Sequence, residues 1–489
     1  MEINQYFKNS SLIQSIMEDC HKNNKNILVM GCGGVSMRII ADYLIKNQYI
    51  INGVDTNVKK IPQDNQFNHY YTTHNENNIN DSTGAIIVSH FFVDGIYPEL
   101  EKAKQMNIPI ILRIDFLNYL CHMIKNNNNI IGIIGTCGKT TTTYLGFCLD
   151  KLLGNNPSIF SGSFIPMVGS NYHMDTGNVF IENDESRDEH LRIFSDKLIF
   201  TSIGIDHLEE KCYNNDYDQL KLSLIQQVNQ SKEVIYYSDN GEMDQLISKT
   251  NKTIGQNAWS YSDVNENSHC FLESFHSSPL GSTGVIIIKK SSWYKKLMVA
   301  VPFLGKKNFL NYMAHIFWLI NENNYKKIIN VSRFIHLAPE RNTYCGQYNN
   351  MLLVNSYCQI VDEFKSVAEN YSQNFPDRKI YMAIEFNRFP RYNREVIKLQ
   401  QLFPWVEKIL LAPPLQGNIH YNINDPQHKD KFIHRESHDK IEQFNTIDDF
   451  QNAINHKIKH NNEPGIMLFC CYSIEIYCNN CLKFLSEDL

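Results

Sequence analysis

No stretch of this chain stays apolar long enough to cross a bilayer, so a membrane-spanning class is excluded at the outset. Met1 to Lys25 lacks the apolar core of a secretory leader, and the chain therefore reads as cytoplasmic with no membrane partner. A surplus of charge is missing too. The formal net charge is −6, without the basic excess that a nucleic-acid binder or a membrane-surface binder needs. A disulfide framework is also absent: 13 cysteines, an odd number scattered over 489 residues, suit reduced thiols. What the chain does have is length. One hydrophobic core does not extend over 489 residues, so two or three domains are expected. Asparagine, lysine and isoleucine are abundant, yet apolar periodicity persists, which reads as compositional bias in a folded chain.

The most informative stretch is Ile130 to Thr143. The apolar run Ile130 to Ile134 predicts a buried strand, which enters Gly135-Thr136-Cys137-Gly138-Lys139-Thr140-Thr141. Leu145, Leu149 and Leu152 then share one face of a helix that Gly154 can cap. A strand, a glycine turn and a helix N-terminus form a phosphate cradle. Its N–H groups face phosphate oxygens, Lys139 reaches the β/γ oxygens, and the Thr140 hydroxyl is placed for Mg²⁺. The general pattern has a further glycine five residues before Gly138, where this chain has Ile133.

Upstream, Asn26 to Met30 predicts a buried strand that ends in Gly31-Cys32-Gly33-Gly34-Val35-Ser36-Met37. A helix with Ile39, Ile40, Tyr43 and Leu44 inward follows, then a strand from Tyr49 to Val54 ending at Asp55. This is a β-turn-α-β unit with glycines at the turn and an acid after the second strand. Further strands are expected at Ala85 to His90 and Ile108 to Arg113, around a helical Tyr97 to Met106. Such a unit suits a nucleotide or a nucleotide-sugar diphosphate at its strand ends, and a plain βαβ turn remains open at this point. The polar run Asn126 to Asn129 fits a linker.

Beyond the phosphate loop, Asn178 to Ile181 predicts a strand entering Glu182-Asn183-Asp184-Glu185-Ser186. Leu198 to Ile205 predicts another, ending in Asp206-His207. Acids and a histidine at strand ends beside a phosphate loop are natural Mg²⁺ ligands, because the ion neutralises phosphate charge during transfer. Strands at Glu233 to Tyr237, Gly284 to Ile288 and Leu297 to Val301 extend the sheet. Gly305-Lys306-Lys307-Asn308 then opens a helix with Leu310, Met313 and Phe317 inward. In the last third, strands at Met351 to Asn355, Ile380 to Phe386, Lys408 to Ala412 and Ile466 to Cys470 alternate with helices, again an open α/β sheet. Arg388 and Arg391, three residues apart, suit a carboxylate clamp. Cys470, Cys471, Cys478 and Cys481 read as buried structural thiols rather than a zinc site, since the first pair lies in an apolar strand with no histidine nearby.

Together these stretches resemble the Mur ligase family, and within it the branch that adds L-alanine to UDP-N-acetylmuramate. Gly31 to Met37 resembles the N-terminal glycine motif, and Ile86 to Ser89 followed by Pro98-Glu99 resembles a later strand and helix of the UDP site. Gly135 to Thr142 resembles Gly-Thr-His-Gly-Lys-Thr-Thr-Thr, and Glu182 to Ser186 resembles Glu-Ala-Asp-Glu-Ser. Asp206-His207-Leu208 and Gly305 to Asn311 are similar to the magnesium and adenine segments. Asn387-Arg388-Phe389-Pro390-Arg391 resembles His-Arg-Tyr-Ser-Arg, and Arg341 falls at a family arginine. The resemblance implies three α/β domains: a Rossmann-like UDP-sugar domain over residues 1–125, a central P-loop ATPase-like domain over 126–335, and a Rossmann-like amino-acid-binding lid over 336–489.

The implied chemistry is peptidoglycan synthesis with ATP and Mg²⁺. ATP phosphorylates the carboxylate of a UDP-N-acetylmuramate-type acid, and the amine of an amino acid or peptide then displaces phosphate. By resemblance Thr140 and Glu182 hold one ion, Glu182 and His207 a second, and Asn308 meets the adenine. Lys139, Glu182 and His207 are then the catalytic set; Gly31, Gly33, Gly34, Ser36, Met37, Asp55 and Ser89 line the UDP-sugar site. Some positions depart from the family. Asn355-Ser356-Tyr357-Cys358-Gln359 stands where the family has Asp-Asp-Tyr-Ala-His, Cys137 replaces the loop histidine, and Gly204 replaces an acid. These departures leave two other readings: a ligase for a recycled peptide or different acid, and a nucleotide-binding paralogue that regulates or scaffolds.

Overall fold

The computed structural model describes residues 10–56, 67–93, 95–124, 128–239, 241–290, 293–416, 419–433 and 438–471. Cys478 and Cys481, with part of the expected linker at 126–127, lie outside the described residues. The chain forms two compact units, Met1–His269 and Cys270–Leu489.

The first unit opens with five parallel strands: β1 (Asn26–Met30), β2 (Ile51–Val54), β3 (His69–Tyr71), β4 (Thr83–Val88) and β5 (Ile110–Leu112). Their order is β3-β2-β1-β4-β5. Helices α1 (Ser10–Lys22), α2 (Val35–Lys46), α3 (Pro98–Gln105) and α4 (Arg113–Ile124) accompany them. Every residue of β1 is buried, as its uninterrupted apolar sequence requires of a central parallel strand. The order reverses direction between β1 and β4, which opens a crevice at their C-terminal ends. The strand expected to run from Ala85 to His90 ends at Val88, and His90–Phe92 forms a 3-10 turn. Arg113, expected as the end of a strand, opens α4 instead.

The second sheet of this unit has β6 (Ile130–Ile134), β7 (Ser158–Ile165), β8 (Ser170–His173), β9 (Val179–Glu182), β10 (Lys197–Phe200), β11 (Glu233–Tyr237) and β12 (Ala258–Ser262). Their order is β12-β11-β10-β6-β9-β7-β8, with only β8 antiparallel to its neighbour. Helices α5 (Lys139–Leu152), α6 (Tyr217–Gln230) and α7 (Glu242–Ser248) connect them. The strand read as Leu198 to Ile205 stops at Phe200. Thr201 and Ser202 turn their polar groups to the phosphate loop, so the chain leaves the ladder there. The two sheets share apolar core: Phe160, Tyr172, Val179, Ile181 and Ile193 belong to the same buried cluster as Ile27, Ile40 and Leu44.

The second unit contains an antiparallel meander, β13 (Cys270–Ser278), β14 (Gly281–Lys290) and β15 (Trp293–Val301). Two helices follow, α8 (Lys306–Leu319) and α9 (Tyr325–Ser332). The meander strands exceed the short stretches expected, and burial alternates along β14, with Ser282, Ile286 and Ile288 on its buried face. The last sheet comprises β16 (Thr343–Tyr348), β17 (Met351–Asn355), β18 (Lys379–Ile384), β19 (Lys408–Leu411), β22 (Ile441–Gln443) and β23 (Gly465–Cys470), with a two-stranded ribbon of β20 (Leu415–Gln416) and β21 (Ile419–His420). The sheet order is β16-β17-β23-β18-β19-β22, parallel except for β16. Its helices are α10 (Val361–Asn374), α11 (Phe389–Val396) and α12 (Ile447–Lys459). The three sheets in sequence order make an α/β protein of the architecture read from the sequence. Among the described residues no helix is long and apolar enough to cross a membrane.

Candidate active site

Three neighbouring strands of the second sheet, β9, β6 and β10, deliver the candidate chemistry at their C-terminal ends. The phosphate loop follows β6, the acidic run follows β9, and Asp206-His207 lies in the segment after β10. Residues far apart in sequence meet because their strands are adjacent.

The loop is held from the β10 side. Thr136 N donates to Ser202 O at 3.1 Å, and Cys137 N donates to Ser202 Oγ at 3.0 Å. Thr201 Oγ1 donates to Cys137 O at 2.7 Å. Gly135 has φ +130°, and a Cβ there would come 2.7 Å from Ser202 O. The position therefore needs glycine. Gly138, at φ +84°, caps α5, and Thr142 and Thr143 return their hydroxyls to the carbonyls of Gly138 and Lys139. Thr141 is buried, while Thr140 is half-buried in the first helical turn. Ile133, where the general pattern has glycine, is simply a core residue of β6.

Lys139 Nζ donates to Gly135 O at 2.9 Å and to Glu185 Oε2 at 2.6 Å. Burial alone would lower its pKa, but the Glu185 and Asp184 carboxylates outweigh it and hold the ammonium well above the usual lysine range. Burial would likewise raise Asp184, yet Lys139, His207, the Ser186 N–H and Arg113 hold it well below the usual carboxylate range. Asp184, Glu185 and His207 each offer a ligand atom within 4.8 Å of the others. Two carboxylate oxygens with an imidazole nitrogen, one acid firmly ionised, fit a small divalent cation. Glu182 stands outside this group. Its Oε1 accepts from Gly162 N at 3.1 Å. Sequence reasoning named Glu182 with His207, whereas the structure brings Asp184 and Glu185 to His207. His207 takes a left-handed backbone, φ +58°, which places its ring between Asp206 Oδ2 at 3.7 Å and Glu210 Oε1 at 4.0 Å.

The segment after these acids is bound to α4. Arg113 pairs with Glu189, and Arg192 Nη1 lies 2.5 Å from Asp115 Oδ2. Buried Tyr213 donates its hydroxyl to Glu185 O and steadies the acidic run from behind. None of these partners carried a sequence signal, since each pair spans 28 residues or more.

At the first sheet, Gly33 N donates to Asp55 Oδ2 at 2.9 Å, so the glycine turn and the acid meet as the β-turn-α-β reading expects. Gly31 has φ +77° and packs where a Cβ would lie 2.9 Å from the Phe92 ring. Gly34 caps α2, which carries Ser36 and a buried Met37 in its first turn. Ser89 precedes the 3-10 turn after β4, adjacent to β1. Glu99 is fully buried and accepts from Asn75 N, Asn78 Nδ2 and His74 Nδ1, which makes it a lock on its own loop.

In the second unit, Asn308 Nδ2 donates to Leu304 O at 3.1 Å, and Gly305 beside it lies against Asn370 of α10. Arg341 Nη1 donates to Tyr357 O at 3.0 Å, with its guanidinium 4.4 Å from the centre of the Tyr357 ring. Ser356 Oγ donates to Asn342 Oδ1 at 2.9 Å, and the buried Asn355 Oδ1 has no hydrogen-bond partner. Arg388, the residue before α11, has φ +68° and ψ 130°. Arg391 is 2% exposed and donates to the Asn387 side chain, so the two arginines sit in unlike settings rather than as a matched fork. Cys470 and Cys471 are buried, Cys471 Sγ contacts Ala383 O at 3.3 Å, and burial pushes the Cys470 thiol up, all consistent with structural thiols.

Comparison with known proteins follows the same lines. The model of the Mur ligase middle domain matches residues 181–319. The UDP-N-acetylmuramate–L-alanine ligase of Buchnera aphidicola is 25% identical over 414 residues, 81% of this chain and 81% of its own length. The ligase of the same name from Clostridium kluyveri is 24% identical over 396 residues, 80% of this chain and 83% of its own. Among solved structures, the UDP-N-acetylmuramate–alanine ligase of Thermotoga maritima superposes with a TM-score of 0.71 at 17% identity, covering 95% of this chain and 100% of that one. A murein peptide ligase from Psychrobacter arcticus follows with a TM-score of 0.66 at 14% identity, covering 94% and 98%. These two share the fold. With a matching middle domain and relatives aligned along four fifths of its length, the chain belongs to the Mur ligase family, the ATP-dependent ligases of peptidoglycan synthesis.

Proposed function

We propose that this chain joins an amine to the carboxylate of a UDP-N-acetylmuramate-type acid, with L-alanine as the first candidate amine. The observation that carries the reading is the meeting of Lys139, Asp184, Glu185 and His207 at three adjacent strand ends. A carboxylate and the γ-phosphate of ATP repel each other, so their approach requires concentrated positive charge. Lys139 supplies one charge through its ammonium. Asp184, Glu185 and His207 are the residues that would hold Mg²⁺, which contributes further neutralisation when bound. The N–H groups from Gly135 to Lys139 orient the phosphates.

The carboxylate oxygen attacks the γ-phosphorus and ADP leaves. The amine nitrogen then attacks the acyl carbon and gives up a proton to solvent, and phosphate departs with the C–O electron pair as the amide forms. The Gly31–Gly34 turn, with Asp55 and Ser89 on the same strand edge, is the proposed seat of the UDP sugar, and Asn308 with Arg341 the proposed adenine and phosphate contacts. Arg388 is the proposed contact for the amino acid's carboxylate, with Arg391 holding Asn387 beside it. The proposed domain limits are 1–125, 126–335 and 336–489.

A second reading is favoured by one observation. Ser356, where the family resemblance has an acid, is buried and engaged with Asn342, so this loop brings less negative charge to a nucleotide. That suits a paralogue that binds nucleotide without turnover.

Phosphate release from ATP and Mg²⁺ separates the two. Purified protein is given UDP-N-acetylmuramate with single amino acids or short peptides, beside a Lys139→Ala control. Release that requires both the sugar and one particular amine supports the ligase and names its amine. Nucleotide binding with no release above the control overturns the ligase reading for those substrates.

A further inference from the structure

Arg187 and Asp188 directly follow the acidic run, and both hold left-handed backbone conformations, φ +55° and +56°. Neither is glycine, so each such conformation is strained and needs compensating contacts. For Arg187 the contacts point two ways. Nη1 donates to His90 O, just past β4 of the first sheet, at 2.8 Å. Nε donates to Glu210 Oε2 at 3.1 Å. The other oxygen of that carboxylate, Oε1, stands 4.0 Å from His207 Nδ1, while Nε2 of the same ring stands 3.7 Å from Asp206 Oδ2. One guanidinium thus fixes, between the first sheet and the segment after β10, the acid that faces the back of the candidate metal-binding imidazole.

We propose that Arg187 is a positioning residue for His207: it holds Glu210 toward Nδ1, so that the imidazole presents Nε2 to a divalent cation shared with Asp184 and Glu185. This rests on the reading of Asp184, Glu185 and His207 as a metal centre. A ligating histidine is oriented by the acceptor at its other nitrogen, which fixes the ring and keeps the free nitrogen in its neutral donor form. Arginine suits the task because its planar fork serves two acceptors at once, whereas a lysine ammonium is a single point charge on a flexible stem. The link also starts at His90, next to Ser89 of the proposed sugar site, so the strand edge that receives the sugar is tied to the ring that receives the cation.

The test uses Mn²⁺ alone as probe on the full chain, with electron paramagnetic resonance for affinity and spin-echo modulation for a directly bound imidazole nitrogen. Arg187→Gly removes the side chain and suits the left-handed backbone. It is expected to weaken Mn²⁺ binding about tenfold and to diminish the nitrogen modulation. Arg187→Lys is expected to fall between the two. Glu210→Gln, close in shape, is expected to act like Arg187→Gly and decides the matter if that variant fails to fold. His207→Asn provides the reference, with the modulation lost. Wild-type affinity and modulation in both Arg187→Gly and Glu210→Gln, with loss in His207→Asn, would overturn the proposal. A wild-type signal in His207→Asn would remove the metal-centre reading, and this inference with it.

Discussion

Lys139 Nζ lies 2.6 Å from Glu185 Oε2, so the ammonium proposed for phosphate is already neutralised by an acid proposed for metal. The two roles are exclusive until a cation takes Glu185. Wild-type affinity for ADP is therefore expected to rise steeply when Mg²⁺ is added. Glu185→Gln should bind ADP several-fold more tightly than wild type without metal, and should gain little from Mg²⁺. Calorimetric titration with chelator and with excess Mg²⁺ checks this, and equal metal-free affinities would refute it. Lys139→Met leaves Glu185 buried without its cation and should lower unfolding stability by about 3 kcal/mol in urea.

Gly135 and Gly169 make a controlled pair. Both have positive φ, but a Cβ at Gly135 meets Ser202 O at 2.7 Å, whereas Gly169 has open space around it. Gly169→Ala should cost about 1 kcal/mol from backbone strain alone. Gly135→Ala must also displace the 201–202 segment that clamps the phosphate loop, and is expected to reduce nucleotide affinity more than tenfold. Thermal melts beside ADP titrations distinguish the two effects.

Arg388 and Arg391 should respond in opposite directions. The Arg388 backbone, φ +68° and ψ 130°, is one that glycine adopts freely. Arg388→Gly should raise stability by about 1 kcal/mol while raising KM for the amine substrate. Arg391 is buried, and Arg391→Ala should destabilise by about 3 kcal/mol through lost packing and a loosened Asn387. Denaturant midpoints and amine KM values, measured together, are the check.

Asp150 sets a pH dependence away from the candidate site. Burial raises its pKa above the ordinary value, partly offset by hydrogen bonds from Asn155 at 2.6 Å and Asn178 at 2.9 Å. A carboxyl whose folded pKa is raised favours the folded state in its protonated form. Its contribution is complete below the unfolded value of about 3.9 and is lost as pH rises through the folded value. Asp150→Asn should therefore flatten the stability profile just above pH 4, whatever its effect on absolute stability. Urea unfolding across that range tests it, and an unchanged slope would count against it.

Strands such as β1 and β6 were legible because an unbroken apolar run ending in glycine has few other readings. The phosphate loop was legible because its residue types sit next to one another. Glu182 illustrates the limit: the sequence places it at the end of β9, but does not reveal that Gly162 N donates to one of its oxygens. Leu198 to Ile205 looked like one strand because its apolar run continues past Phe200, and only the position of the phosphate loop beside it explains why Thr201 and Ser202 leave the ladder. Arg187 and Glu210 could not be paired from sequence, because the contact depends on two left-handed residues that are not glycine.

The apolar cluster that continues from the first sheet into Phe160, Tyr172 and Val179 has a bearing on modular engineering. A fragment cut near residue 125 would carry a water-repelling face shaped for the neighbouring strands and should aggregate when expressed alone. Grafting a foreign module in place of the first sheet would require recoding that face on both sides of the splice. Swapping the connecting loop alone would leave two halves of a core without matching surfaces.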